Sequence, residues 1–152
     1  METRTNLESK TVDAAQELIT INVDSYLGFT QAAETIPDPD AARLFRQIGN
    51  ERREHCRELE RAIGAKPEDR SGTVKGTMHR WWLGVRSAMS TDERYAVLAE
   101  AERGEDAIKH RYETLMKENA GNALSPVLHK QYAEVKKHHD LIRDLRDRQK
   151  AQ

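Results

Sequence analysis

The sequence predicts an all-α fold: a four-helix bundle of two antiparallel hairpins joined by a long crossover that holds a short extra helix. Three observations carry this. Four long segments repeat apolar residues at three- and four-residue intervals, which is helical spacing. Two of the joints between them are short and rich in cap and turn residues, so their flanking helices are antiparallel neighbours. The third joint, "AKPEDRSGTVKGTMHRWWLGVRSAM", runs to 25 residues, far too many for a turn.

The first helix spans about Thr11 to Glu34, with Ala15, Leu18, Ile19, Tyr26, Phe29 and Ala33 on one face. Thr11 is its cap and Asp13 suits the positive end of the helix dipole. "TIPDPDAA" ends it and starts the next: Asp38 is an N-cap and Pro39 an N1 residue. Helix two continues through Ala41, Phe45, Ile48, His55, Leu59 and Ala62 to a stop at Gly64 and Pro67. The crossover carries Val74, Met78, Trp81, Val85 and Ala88 in helical period. Helix three opens at Ser90 and Glu93, which have capping-box spacing, carries Leu98, Ala101, Ile108, Tyr112 and Leu115 as its apolar stripe, and ends near Gly121. For helix four Ser125 is the cap and Pro126 the first residue, with Leu128, Tyr132, Val135, Ile142 and Leu145 as its stripe before a charged tail from about Arg146. Two hairpins with one long crossover is ferritin-like connectivity.

The chain of 152 residues is long enough for one core, read as a single domain over 11–147 between a flexible segment 1–10 and a frayed tail 148–152. Lys and Arg number 25 against 26 Asp and Glu, so nothing drives the chain toward nucleic acid. No apolar run approaches the ~18 residues of a membrane span, and no apolar leader is evident. Cys56 is the sole cysteine, which excludes an internal disulfide and a multi-Cys zinc site and reads as a buried thiol in a reducing compartment. A cytoplasmic protein is expected, self-associating as a dimer.

Counting levels from the turn near Pro37 at ~1.5 Å per residue puts polar interruptions of all four stripes at one height. Asn22 falls opposite Glu51 and Arg52, Glu105 and His138, with His55, Glu102 and His139 within a turn. Buried carboxylates and imidazoles must be paired or ligate something. One solution is a closed network of Arg52, Glu102, Glu105, His138 and His139 that fixes helix register. The other is a metal site. No Glu-x-x-His occurs in the chain, so a full di-iron carboxylate set of the bundle type is missing its parts. Glu51 with His55, and Glu134 with His138, are spaced i, i+4 and can each grip one ion from one helix face. With Glu102 or Glu105, and His139, such residues would make a mononuclear site for iron or manganese ahead of zinc.

Gly104 inside helix three costs roughly 1 kcal/mol against Ala, so a close approach there is expected, with Trp81 and Trp82 as the bulky candidates. Trp82 with Arg80 and Arg86 is also the expected surface for a protein partner. Acyl-transfer and phosphate-binding motifs are absent: the chain has no Gly-x-Ser-x-Gly, Gly-x-x-x-x-Gly-Lys or Gly-x-Gly-x-x-Gly.

The segments "YLGFTQAAETIPDPDAARLF", "ERREHCRELE", "GTVKGTMHRWW", "AERGEDAIKHRYE" and "HHDLIRDLRD", in this order, closely resemble a family of bacterial ferritin-like four-helix-bundle proteins classed as a domain of unknown function. The resemblance covers residues 11–147. Its most specific parts are Glu-Arg-Gly-Glu-Asp, here Glu102 to Asp106, and His-Asp-x-x-x-x-Leu-Arg-Asp, with His139, Asp140 and Arg146. It implies the bundle fold more than any activity, favours His139 over His138, implies a Glu105 and His139 pairing, and argues against His55 as a shared ligand. The function expected is that of a stress-associated bundle protein, non-catalytic or at most metal-binding. The alternatives are an iron- or manganese-dependent oxidoreductase and a helical interaction module.

Overall fold

The computed structural model describes residues 9–66 and 94–151, which form four helices: α1 (Ser9–Thr35), α2 (Pro39–Ile63), α3 (Arg94–Glu118) and α4 (Ser125–Ala151). The molecule is an all-α four-helix bundle. The crossover helix, the Ser90 cap, Trp81, and the partner surface of Arg80, Trp82 and Arg86 lie outside the described residues.

Local chemistry accounts for the two short joints. The Asp38 carboxylate accepts from the Asp40 N–H at 3.1 Å, Pro39 occupies the first turn, and Gly64 ends α2 in the left-handed conformation at φ 67°. Between α3 and α4, Gly121 at φ +81° makes the reversal, and the Asn122 side chain accepts from the Leu124 N–H. Three boundaries differ from expectation. Helix α1 starts at Ser9, so Thr11 is a buried first-turn residue whose hydroxyl accepts from the Asn122 side chain. Leu124 C=O already accepts from Leu128 N–H, which places Ser125 inside α4 rather than at its cap. Helix α4 continues to Ala151, its charged end held by ion pairs of Arg143 and Arg146 along and across the helix.

Each helix packs against two antiparallel neighbours. Cys56 Sγ meets Ile19 C=O across α1 and α2; Glu58 pairs with Lys130, and Glu51 approaches His138, across α2 and α4. Glu102 pairs with Arg146, and Tyr132 donates to Glu113, across α3 and α4. The Arg111 guanidinium grips Glu17 between α3 and α1. Helices α2 and α3 are therefore parallel and diagonal, and with Arg52 level with Glu105, Ile63 and Arg94 stand about 33 Å apart along the bundle at ~1.5 Å per residue. The α1–α2 seam is the closest. Ala14, Ala15, Ala32, Ala33, Ala41 and Ala42 are all buried in the core, and a Cβ on Gly49 would stand 3.0 Å from Thr30 Oγ1.

The core otherwise follows the predicted stripes: Leu18, Phe29, Phe45, Ile48, Leu59, Leu98, Ile108, Leu128, Val135 and Ile142 are buried. Phe29 and Phe45 meet edge to face with ring centroids 5.2 Å apart, the geometry aromatic quadrupoles favour. Cys56 is buried, as a small apolar-like thiol should be. Among the described residues no helix is long and apolar enough to cross a membrane.

A candidate metal centre between two helices

The polar positions of the mid-bundle level separate into three groups, because successive residues on a helix point about 100° apart. In the first, Arg52 and Glu105 face each other across the diagonal, both fully buried, and form an ion pair. Arg52 Nε and Nη1 and Glu105 Oε1 make no hydrogen bond among the described residues.

The second group lies at the α3–α4 seam. His139 Nε2 is 3.0 Å from Asp106 and 3.7 Å from Glu102, and its Nδ1 is 3.1 Å from Asp140. Glu102 is also held by Arg146. His139 thus meets Asp106 and Glu102, and not Glu105, whose carboxylate faces Arg52; the pairing implied by the resemblance is corrected in this respect. The five residues expected to share one ion do not converge: Glu102 and His139 are at this seam, Glu105 is at the centre, and Glu51 and His55 face α4.

The third group is the one with ligand geometry. His55, with a side chain only 1% exposed, projects from α2 toward α4, where its Nε2 lies 3.6 Å from Glu134 Oε1 and 3.9 Å from Glu51 Oε1. His138 Nδ1 lies 3.3 Å from the same Glu51 oxygen. All four of these atoms are buried, and none has a partner in hydrogen-bond geometry among the described residues. The donor atoms of Glu51, His55 and Glu134 lie within 4.8 Å of one another, so this trio could hold a metal ion. A tetrahedral ion with bonds near 2.0–2.2 Å separates its ligand atoms by about 3.3–3.6 Å, close to the 3.6 Å and 3.9 Å from His55 Nε2 to the two carboxylate oxygens. The outer side opens into a groove of about 640 Å³ lined by Glu51, Glu58, Glu134, His138 and Lys130 among others.

What aims the imidazole is a chain of hydrogen bonds through every helix. The Asn22 side-chain NH₂ donates to Leu18 C=O at 2.8 Å and to the Tyr112 hydroxyl at 2.9 Å. A carbonyl can only accept, so the amide orientation is determined and Asn22 Oδ1 is left facing His55 Nδ1 at 3.2 Å. His55 Nδ1 is therefore the protonated nitrogen, and Nε2 presents a lone pair to Glu51 and Glu134. The Tyr112 hydroxyl donates to Gln131 Oε1 at 2.7 Å, and Gln131 Nε2 donates to His55 C=O and to Glu58, both at 3.1 Å. Such outer partners orient metal-binding imidazoles.

The electrostatics agree. Burial, and then the Arg52 charge, push the His55 pKa down from 6.5 to about 3, so the ring is neutral at neutral pH. Burial pushes the Glu51 carboxyl up, but contact with His138 and the nearby Arg52 charge outweigh it and hold it below its ordinary value. Glu134 is raised, by burial and by the neighbouring Glu51 charge. A lone pair and two carboxylates converging on one point repel one another. A divalent cation relieves all three, and with two carboxylates and a neutral imidazole it forms a centre of no net charge.

Sequence reasoning missed Gln131 and Glu58 and took Tyr112 as apolar only. Gln131 was detectable, since it sits on the α4 stripe between Leu128 and Val135 and is fully buried. Gly104, at the level of the ion pair, is buried, and the Trp81 and Trp82 side chains expected against it lie outside the described residues.

Two outcomes follow from this geometry. Arg52→Met or Glu105→Leu alone should each lower unfolding free energy by about 3–5 kcal/mol, by stranding the other charge, whereas the double variant should recover most of that loss; additive losses in denaturant titrations would contradict the pairing. In chelator-treated protein, His55 stays neutral when folded but takes a proton from pH 6.5 downward when unfolded, so its contribution to stability is lost as pH falls. Between about pH 6.5 and 5, His55→Leu should flatten the stability–pH slope by up to ~1.4 kcal/mol per pH unit; urea unfolding at the two pH values with equal slopes for both proteins would contradict the depressed pKa.

A search of curated proteins finds no match to the chain. A family model described as "Domain of unknown function (DUF2383)" matches residues 10–118, a span that ends with α3 and stops short of the 11–147 over which the resemblance was read. That match covers most of the sequence, and the chain belongs to this family of domains of unknown function.

Proposed function

We propose that this protein is a metal-binding bundle that holds one divalent first-row transition ion between α2 and α4, on Glu51, His55 and Glu134. The observation that carries the reading is the buried His55 Nε2, deprotonated by its tautomer, without a hydrogen bond among the described residues, and facing two carboxylate oxygens. A core imidazole with a purely structural role has both nitrogens satisfied. Here one nitrogen is satisfied by Asn22, and the other is aimed at anions it cannot donate to.

The donors are nitrogen and oxygen, which suit first-row divalent ions such as manganese, iron or zinc. A dinuclear oxidoreductase centre finds less support, since the central position where bridging carboxylates would meet is filled by the Arg52 guanidinium against Glu105.

Elemental analysis after loading with zinc, manganese or ferrous iron under anaerobic conditions tests the reading. About one equivalent per chain of at least one of these ions should survive desalting and be lost in His55→Ala and Glu134→Gln. No retained metal, or retention indifferent to both substitutions, would contradict it.

A further inference from the structure

We infer that His138 is the fourth protein ligand of this centre, giving a closed tetrahedral site of two imidazoles and two carboxylates that is suited to zinc. The inference rests on the proposed metal site and adds to it a ligand, a coordination number and an ion.

The sequence spacing and the helix packing combine in an unusual way here. Glu51-x-x-x-His55 on α2 and Glu134-x-x-x-His138 on α4 are two copies of one pair, each on a single helix face. Because α2 and α4 run antiparallel, each glutamate meets the other helix's histidine: Glu51 with His138 at 3.3 Å, and Glu134 with His55 at 3.6 Å. The pairing is reciprocal, with His55 presenting Nε2 and His138 presenting Nδ1, and the four groups meet between α2 and α4.

His138 shares with His55 its burial and a ring nitrogen that faces a carboxylate. It is buried at 5% exposure, and its Nδ1 is inaccessible, lies 3.3 Å from a carboxylate oxygen and has no partner in hydrogen-bond geometry among the described residues. Nδ1 stands outside the three-atom cluster and touches it through Glu51. With no hydrogen bond holding Nδ1, rotation about the two side-chain torsions can carry it toward an ion bound by the other three. Lys130 pairs with Glu58 and lies 3.7 Å from Glu134 Oε1, which places a positive charge on the groove side of the carboxylates. Four protein donors complete a tetrahedron, the geometry of structural zinc sites, whereas three would leave a position for water.

Cobalt(II) substitution reads the coordination number, because four-coordinate cobalt absorbs strongly in the visible and six-coordinate cobalt weakly. The full chain should bind one cobalt ion with intense visible bands. His138→Gln, with water in the vacated position, should shift those bands and weaken zinc binding, measured by chelator competition, by at least about 100-fold, the upper limit for losing an outer-shell partner. X-ray absorption on the zinc form of the unmodified chain gives a check that does not depend on the variant folding, with two imidazoles expected at the metal. A bound metal with a single imidazole, or a cobalt spectrum unchanged by His138→Gln, overturns the role of His138 and leaves the three-residue site standing. Failure of the unmodified chain to bind cobalt or zinc at all overturns the metal reading itself.

Discussion

The arrangement of this bundle turns on the orientation of one buried amide. Leu18 C=O accepts from Asn22, so the Asn22 oxygen must face His55, and from that follow the tautomer of His55 and the direction of its free lone pair. The same amide donates to Tyr112, which donates to Gln131, which donates back to the His55 backbone. One residue from each helix is thereby tied into a closed ring, and sliding any helix by a residue would break it. A polar ring of this kind is costly unless complete. Its completeness on the inner side makes the bare nitrogen on the outer side significant.

The ion pair of Arg52 and Glu105 acts on the same region electrostatically. Arg52 lies three residues before His55 on α2, and its buried positive charge is the second cause, after desolvation, of the low His55 pKa. Structure and chemistry are therefore coupled. The pair that organises the centre of the bundle also keeps the neighbouring imidazole in the form that ligates metal. The His139, Glu102 and Asp106 group at the other seam is more exposed and is bound up in ion pairs with Arg146 and Asp140, which suits a strap between α3 and α4.

Much of the fold was legible because helix period, caps and joint lengths are local properties. Asp38, Pro39 and Gly64 act where their chemistry demands. The level of the polar layer was also legible, since axial rise is uniform enough that Arg52 and Glu105 could be set side by side by counting. Rotation about the helix axis was harder. Adjacent His138 and His139 are both buried yet serve different seams, and an error of one residue moves a side chain by more than a quarter turn. The i, i+4 pairs of glutamate and histidine were visible in the sequence, but their facing each other depends on α2 and α4 being antiparallel neighbours, a tertiary fact. Tyr112 and Gln131 escaped notice because a stripe of apolar residues conceals the polar atoms at its tips.

Nitrogen-15 NMR of the imidazole of His55 in chelator-treated protein tests the central claim most directly. The account predicts a neutral ring at pH 6 with the proton on Nδ1, an unprotonated Nε2, and a large shift of the Nε2 resonance when zinc is added. A proton found on Nε2, or a charged ring at that pH, would mean that the nitrogen facing Glu51 and Glu134 is a donor to carboxylates, and the case for a metal ligand would fail.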